Sequence, residues 1–233
     1  MSIHDKILYI FRFRNGDTRE FLLRFDESNL DLLPHNGKEP PQWADLSLYS
    51  CPVCPLDPAD HRYCPTAAHL GWILDEIQNY NSFDEVTVEV IDAVRSYIKD
   101  TSLQDGLGSL MGIVMATGGC PILKPLRPMV RFHLPFATLE EMEFRMVSMY
   151  LFAQYLRQQH GDTCDWTLEG LKDIYKKVND VNRSFSHRVS LASNSEAAKN
   201  AIIILDCFAK TVPKSIENMM KDFRTTFAPV LDA

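Results

Sequence analysis

The stretch KILYIFRFRNGDTREFLLRF, residues 6–25, sets the fold class. Ile7, Tyr9, Phe11 and Phe13 recur at every second position, and Phe21, Leu23 and Phe25 do the same on the return. In an extended chain alternate side chains share a face, so each run presents one apolar side. Asn15-Gly16 between them tolerates positive φ and is a strong hairpin turn signal. Arg12, Arg14 and Arg24 fall on the wetter face. An N-terminal β-hairpin follows.

Outward from the hairpin, the same alternation returns at Val86-Thr87-Val88-Glu89-Val90 and gives a further strand. Residues 27–50, broken by Pro34, Gly37, Pro40 and Pro41, read as a long ordered loop. Thr66 is placed to cap a helix through about Tyr80, with Leu70, Ile73, Leu74 and Ile77 at helical spacing. A helix over Ser102–Ala116 uses Leu103, Leu107, Leu110, Met111 and Val114, and ends at Gly118-Gly119. The proline-broken run PILKPLRPMVRFHLPF, residues 121–136, reads as extended.

The second half reads as helical. Thr138 and Glu141 form a capping box ahead of Met142, Met146, Met149 and Tyr150. That helix is apolar on most sides, which predicts a central position. Leu168, Leu171, Ile174, Tyr175 and Val178 mark a second helix, and Ala198, Ala201, Ile202, Leu205 and Phe208 a third. Pro213 is placed to open a last one with Ile216, Met219, Met220 and Phe223 inward. The expected fold is α+β: an N-terminal β-hairpin plus a further strand, a Cys-rich loop and a helical C-terminal half. It is one domain over 1–233, with 1–136 the α+β part carrying the cysteines and 137–233 the helical part.

The chemistry lies in the cysteines. Four of the six are followed directly by proline: Cys51, Cys54, Cys64 and Cys120. With 13 prolines in 233 residues, chance does not account for that. The first three lie in CPVCPLDPADHRYCP and the fourth ends TGGCP. Cys51 and Cys54 form C-x2-C, a spacing that lets two sulfurs reach one ion. Thiolates select zinc, copper(I) or iron–sulfur clusters over hard ions. Zinc sites commonly pair two such knuckles, and only one is present. Cys-Pro recurs in cluster ligation, and glycines before Cys120 let amides approach sulfur. An iron–sulfur cluster and zinc therefore both stand. His61, the one histidine in the segment, offers a substitute for a cysteine ligand but reads rather as a loop residue. A role for the cysteines as plain packing residues is the bland alternative. Cys207 sits in an apolar helical pattern and reads as core; Cys164 reads as a free thiol in a loop.

A second constellation follows Cys120. If residues 127–136 are extended, Arg127, Arg131 and His133 share a side, and Glu141 lies just beyond. Two guanidiniums and an imidazole suit a carboxylate or phosphate, so these four are candidate catalytic residues for a small anionic substrate. The competing reading pairs the arginines with Glu140, Glu141 and Glu143 as a strand–helix lock. No phosphate loop, nucleophile elbow or H-E-x-x-H motif occurs.

Composition limits the rest. A hydrophobic share of 45% and a charged share of 24% belong to a soluble globular protein. The net charge of −7 opposes nucleic-acid binding. No apolar run reaches membrane-spanning length and the N-terminus lacks a leader pattern, which predicts a cytoplasmic protein with reduced thiols. CPVCPL, HRYCPTA, MATGGCP, RPMVRFHLPFAT and MYLFAQYL together resemble a bacterial family of unknown function. The resemblance covers most of the chain and takes in the four Cys-Pro positions and RFHLPF. It implies a bacterial origin and one coherent domain, and no activity. The expectation is a four-cysteine metal centre in a redox, regulatory or partner-binding role, with an unidentified protein as partner. An enzyme at the Arg/His/Glu set and a zinc-stapled scaffold are the alternatives.

Overall fold

The computed structural model describes residues 6–35, 39–192 and 196–232; among these, the side chains at 191–192, 197–198, 204, 208 and 210–222 are not described. Gly37 and the side chains of Ala198, Phe208, Pro213, Ile216, Met219 and Met220, all used in the sequence reading, lie outside the described set. The chain is α+β. Strands β1 (Lys6–Phe13), β2 (Thr18–Arg24), β3 (Glu85–Ile91) and β4 (Ser96–Ser102) form one antiparallel sheet in the order β2-β1-β3-β4. Gly16 takes φ +92°, as the hairpin turn requires. Register places Tyr9 opposite Phe21 and Val90, and Phe11 opposite Val88. These side chains are all buried on one face. A fully buried side chain of this size contributes about 1.5–3 kcal/mol.

Helices α1 (Pro65–Ile77) and α2 (Leu103–Thr117) cover that face. Trp72 of α1 tilts over Phe21, with ring centroids 5.2 Å apart. Gly106 of α2 sits so close to the sheet that a β-carbon would lie 2.8 Å from Phe11 and 2.9 Å from Val88. Short α3 (Arg127–Arg131) and longer α4 (Leu139–Gln159) follow, then α5 (Glu169–Ala192) and α6 (Glu196–Leu231). Helix α6 packs on both α2 and α5. No helix among the described residues is long and apolar enough to cross a membrane.

Several expectations are corrected. A fourth strand, β4, joins the three foreseen; its sequence SYIKDTS is an exposed edge without alternation. Residues 124–126 and 127–131 are helical, not extended, because Pro125 and Pro128 occupy first-turn positions where the missing N–H costs nothing. Helix α4 is peripheral: Phe144, Phe152, Tyr155 and Leu156 are exposed, and the buried set is Glu143, Met146, Val147 and Gln154. Its apolar residues are spread around the helix and interleaved with charges, so they define no inward stripe. Pro213 does not open a separate helix but lies within α6. An interior proline costs about 3 kcal/mol, which 36 residues of otherwise continuous helix can absorb. Cys207 is exposed, not core.

Candidate metal centre

Two backbone approaches bring the cysteines together. The first joins the start of α1 to the end of α2. Cys64 itself, not Thr66, is the residue preceding the first turn of α1, with Pro65 next. Gly119 takes φ +88°, and a β-carbon there would sit 3.0 Å from Pro65 Cβ. At Gly118 a β-carbon would be 2.6 Å from the Val114 carbonyl oxygen and 3.2 Å from Thr66 Cα. Thr66 Oγ1 donates to the Gly118 carbonyl at 3.3 Å. Only glycine permits this contact, and it sets Cys64 and Cys120 on adjoining turns.

The second approach folds the loop back. Ala44–Leu46 runs antiparallel to Arg62–Cys64: Cys64 N–H donates to Ala44 O at 2.7 Å and Leu46 N–H to Arg62 O at 2.9 Å. The loop between them carries Cys51 and Cys54, closed into a turn by Cys54 N–H on Cys51 O at 2.9 Å.

No disulfide joins the cysteines among the described residues. Burial raises the Cys51, Cys64 and Cys120 thiols above their ordinary range, as the first cause in each. Mutual charge adds to it: Cys64 and Cys54 act on Cys51, Cys120 and Cys54 on Cys64, and Cys51 and Cys54 on Cys120. Every pairing of the four is therefore within electrostatic reach. Opposing this, the Ala67 amide favours the Cys64 thiolate, the Leu123 and Ile122 amides favour that of Cys120, and the Ser184 hydroxyl favours that of Cys51. As the side chains stand, no group of three or more His, Cys, Asp or Glu among the described residues is arranged to hold a metal ion. The thiols share a neighbourhood without converging on a point.

Beside them lies a residue that sequence reasoning missed. Arg188 of α5 is 2% exposed. Its guanidinium donates to Trp43 O at 2.6 Å and to Tyr49 O, and its Nε is buried without an acceptor among the described residues. No carboxylate among the described residues lies within ion-pair distance of it. Its charge lowers the Cys51 and Cys64 thiols. A signal was present: Arg188 falls on the same helical stripe as Val181, Phe185 and Val189, all buried.

The family model described as a domain of unknown function (DUF6901) matches residues 7–228. The chain belongs to that family. No curated protein and no solved structure matches it. The matched span of this DUF6901 chain runs from β1 into α6 and takes in every Cys-Pro site.

The Arg/His/Glu set is not gathered. Arg127 is paired with the Asp31 carboxylate and donates to Asn29 O at 3.3 Å. Glu141 accepts from the Thr138 amide at 2.7 Å in the capping box of α4. Arg131 and His133 share a small cavity of about 20 Å³ with Lys6 and Asp92. His133 Nε2 lies 2.6 Å from the Tyr9 hydroxyl, which also meets Ser109 Oγ at 3.0 Å. Burial, then the charge of Arg145, brings His133 down to about 3. His61 is exposed in its loop, and Cys164 Sγ donates to Gln154 O and Asp162 O.

Proposed function

We propose that Cys51, Cys54, Cys64 and Cys120 together bind one thiolate metal centre, an iron–sulfur cluster or zinc, in a redox, regulatory or partner-binding role. The observation that carries this is Arg188. A guanidinium without water or a counter-ion is costly to bury. Among the described residues the groups its charge acts on include the Cys51 and Cys64 thiols, which burial raises above their ordinary range. A bound metal displaces the thiol protons, and four thiolates around one divalent ion leave a net negative centre facing the guanidinium.

The donor set fits. Four sulfurs satisfy a tetrahedral zinc ion or a cubane. Amides directed at Cys64 and Cys120 are the hydrogen bonds that, with nearby charge, tune a cluster's potential. Binding ties the 45–63 loop, the start of α1, the exit of α2 and the C-terminal part of α5 into one unit. Metal content would then govern whether that corner is ordered. Such thiols suit a reducing compartment, the cytoplasm.

The test is metal and acid-labile sulfide analysis of protein purified without oxygen, alongside single Cys→Ser variants. About one zinc per chain, or iron with matching sulfide and a brown colour, is expected. C51S, C54S, C64S and C120S should each lose the metal, and C164S and C207S should keep it. Protein that stays metal-free after anaerobic reconstitution with zinc or with iron and sulfide would end the proposal.

A further inference from the structure

A separate cavity of about 370 Å³ lies between α2, α3, α4, α5 and α6, and none of the four Cys-Pro cysteines lines it. Its walls are largely apolar, among them Met115, Met129, Met142 and Val178. Gly108 of α2 is buried, yet a β-carbon built on it would meet nothing within 4 Å. The helix is thus glycine where the cavity needs room, and no close backbone contact demands that glycine. Liquid water takes about 30 Å³ per molecule, so the space suits a ligand of roughly a dozen heavy atoms. It falls within the size range of small-molecule sites.

The cavity's polar end is Arg145. Its Nη2 donates to Met129 O at 2.8 Å and Phe132 O at 2.7 Å, and Nη1 faces the Met142 sulfur at 3.5 Å. These contacts fix the guanidinium and leave Nε and one Nη1 hydrogen without a protein acceptor among the described residues. No carboxylate among those residues comes within ion-pair distance. Lys99, also lining the cavity, lies 5.7 Å from the Phe136 ring centroid. Phe136, with a φ of +61°, forms part of the same wall. The acidic residue of the lining, Asp105, accepts from the Ser102 hydroxyl at 2.7 Å. The lining keeps a net positive charge around an apolar body.

We infer that this cavity is a binding site for an amphipathic monocarboxylate, its apolar chain among the methionines and its carboxylate on Arg145. The probes are octanoate and 1-octanol, which share a chain and differ in the head group, titrated calorimetrically into the full chain. Octanoate should saturate at one per chain and bind at least tenfold tighter than octanol, since a charge-assisted hydrogen bond is about twice as strong as a neutral one. Gly108→Leu, which replaces a poor helix former with a good one and fills the space, should weaken octanoate at least tenfold while the circular dichroism spectrum is kept. Arg145→Met should reduce octanoate to the level of octanol. If Arg145→Met does not fold, the head-group preference of the native chain and the Gly108→Leu result decide. Absence of saturable octanoate binding, equal affinity for the two probes, or undiminished binding to Gly108→Leu overturns the inference.

Discussion

At Arg188 a buried charge, two backbone carbonyls and the thiols meet. Arg188→Gln keeps a donor for Trp43 O or Tyr49 O and removes the charge. Groups that support a metal site from outside its ligands typically affect affinity 10–100-fold. Competition with a coloured chelator should therefore show roughly that loss in the variant, with the four cysteines intact. His133 gives a pH prediction of its own. It stays neutral in the folded chain down to about 3, whereas an exposed histidine titrates near ~6.5. Between those values the unfolded state binds the extra proton, so stability is lost as pH falls through that window. The slope is up to about 1.4 kcal/mol per pH unit. His133→Gln should flatten the dependence of the urea midpoint between about pH 4.5 and 6.5, above the range in which unperturbed carboxylates titrate. An unchanged slope would mean another group carries the proton. Individual residues were unequally legible. The Cys-Pro repetition stood out because it is chemically odd; Arg188 did not, because a basic residue in an amphipathic helix ordinarily faces water.

Among the elements, helix α4 depends on its start. Thr138 Oγ1 accepts from the Glu141 amide at 3.2 Å, and the Glu141 carboxylate returns a bond to the Thr138 amide. Thr138→Ala should lower stability by about 1 kcal/mol, read as a shift in the urea midpoint at unchanged slope. The turn after α2 is stricter. Gly119→Ala imposes a side chain at φ +88° against Pro65. It should cost about 1–3 kcal/mol and lower metal content as well, because Cys120 is displaced. Retained metal in that variant would separate the turn from the centre. Elements were legible where one physical cause dominated. The hairpin has strict alternation and Asn15-Gly16; the capping box has its two residues at fixed spacing. Strand β4 has neither, since a largely exposed edge carries little period. Residues 121–136 misled because proline suits a first helical turn and an extended chain equally. In α4 the apolar content suggested burial, but burial follows the direction of an apolar stripe rather than its amount.

Across the molecule the α+β plan was readable from period alone, because a sheet buried on one face and helices packed across it leave periods of two and about 3.6. The contacts that join distant segments were not readable: Pro65 on Gly119, Trp43 and Tyr49 on Arg188, Tyr9 on His133. Each needs the tertiary arrangement to exist first. Stripping metal with a chelator should raise amide hydrogen exchange in residues 45–64 and 118–124 while β1–β3 stay protected, because those strands carry none of the cysteines. Uniform protection in metal-loaded and stripped protein would contradict this. The adjoining turns of Cys64 and Cys120 carry a kinetic consequence. On the proposed reading, Cys64 just before α1 and Cys120 just after α2 offer an ion two sulfurs that the Cys51–Cys54 loop then completes. On that reading an ion is caught there first and then locked by the loop, making loading a two-phase event in stopped-flow whose second phase is independent of metal concentration.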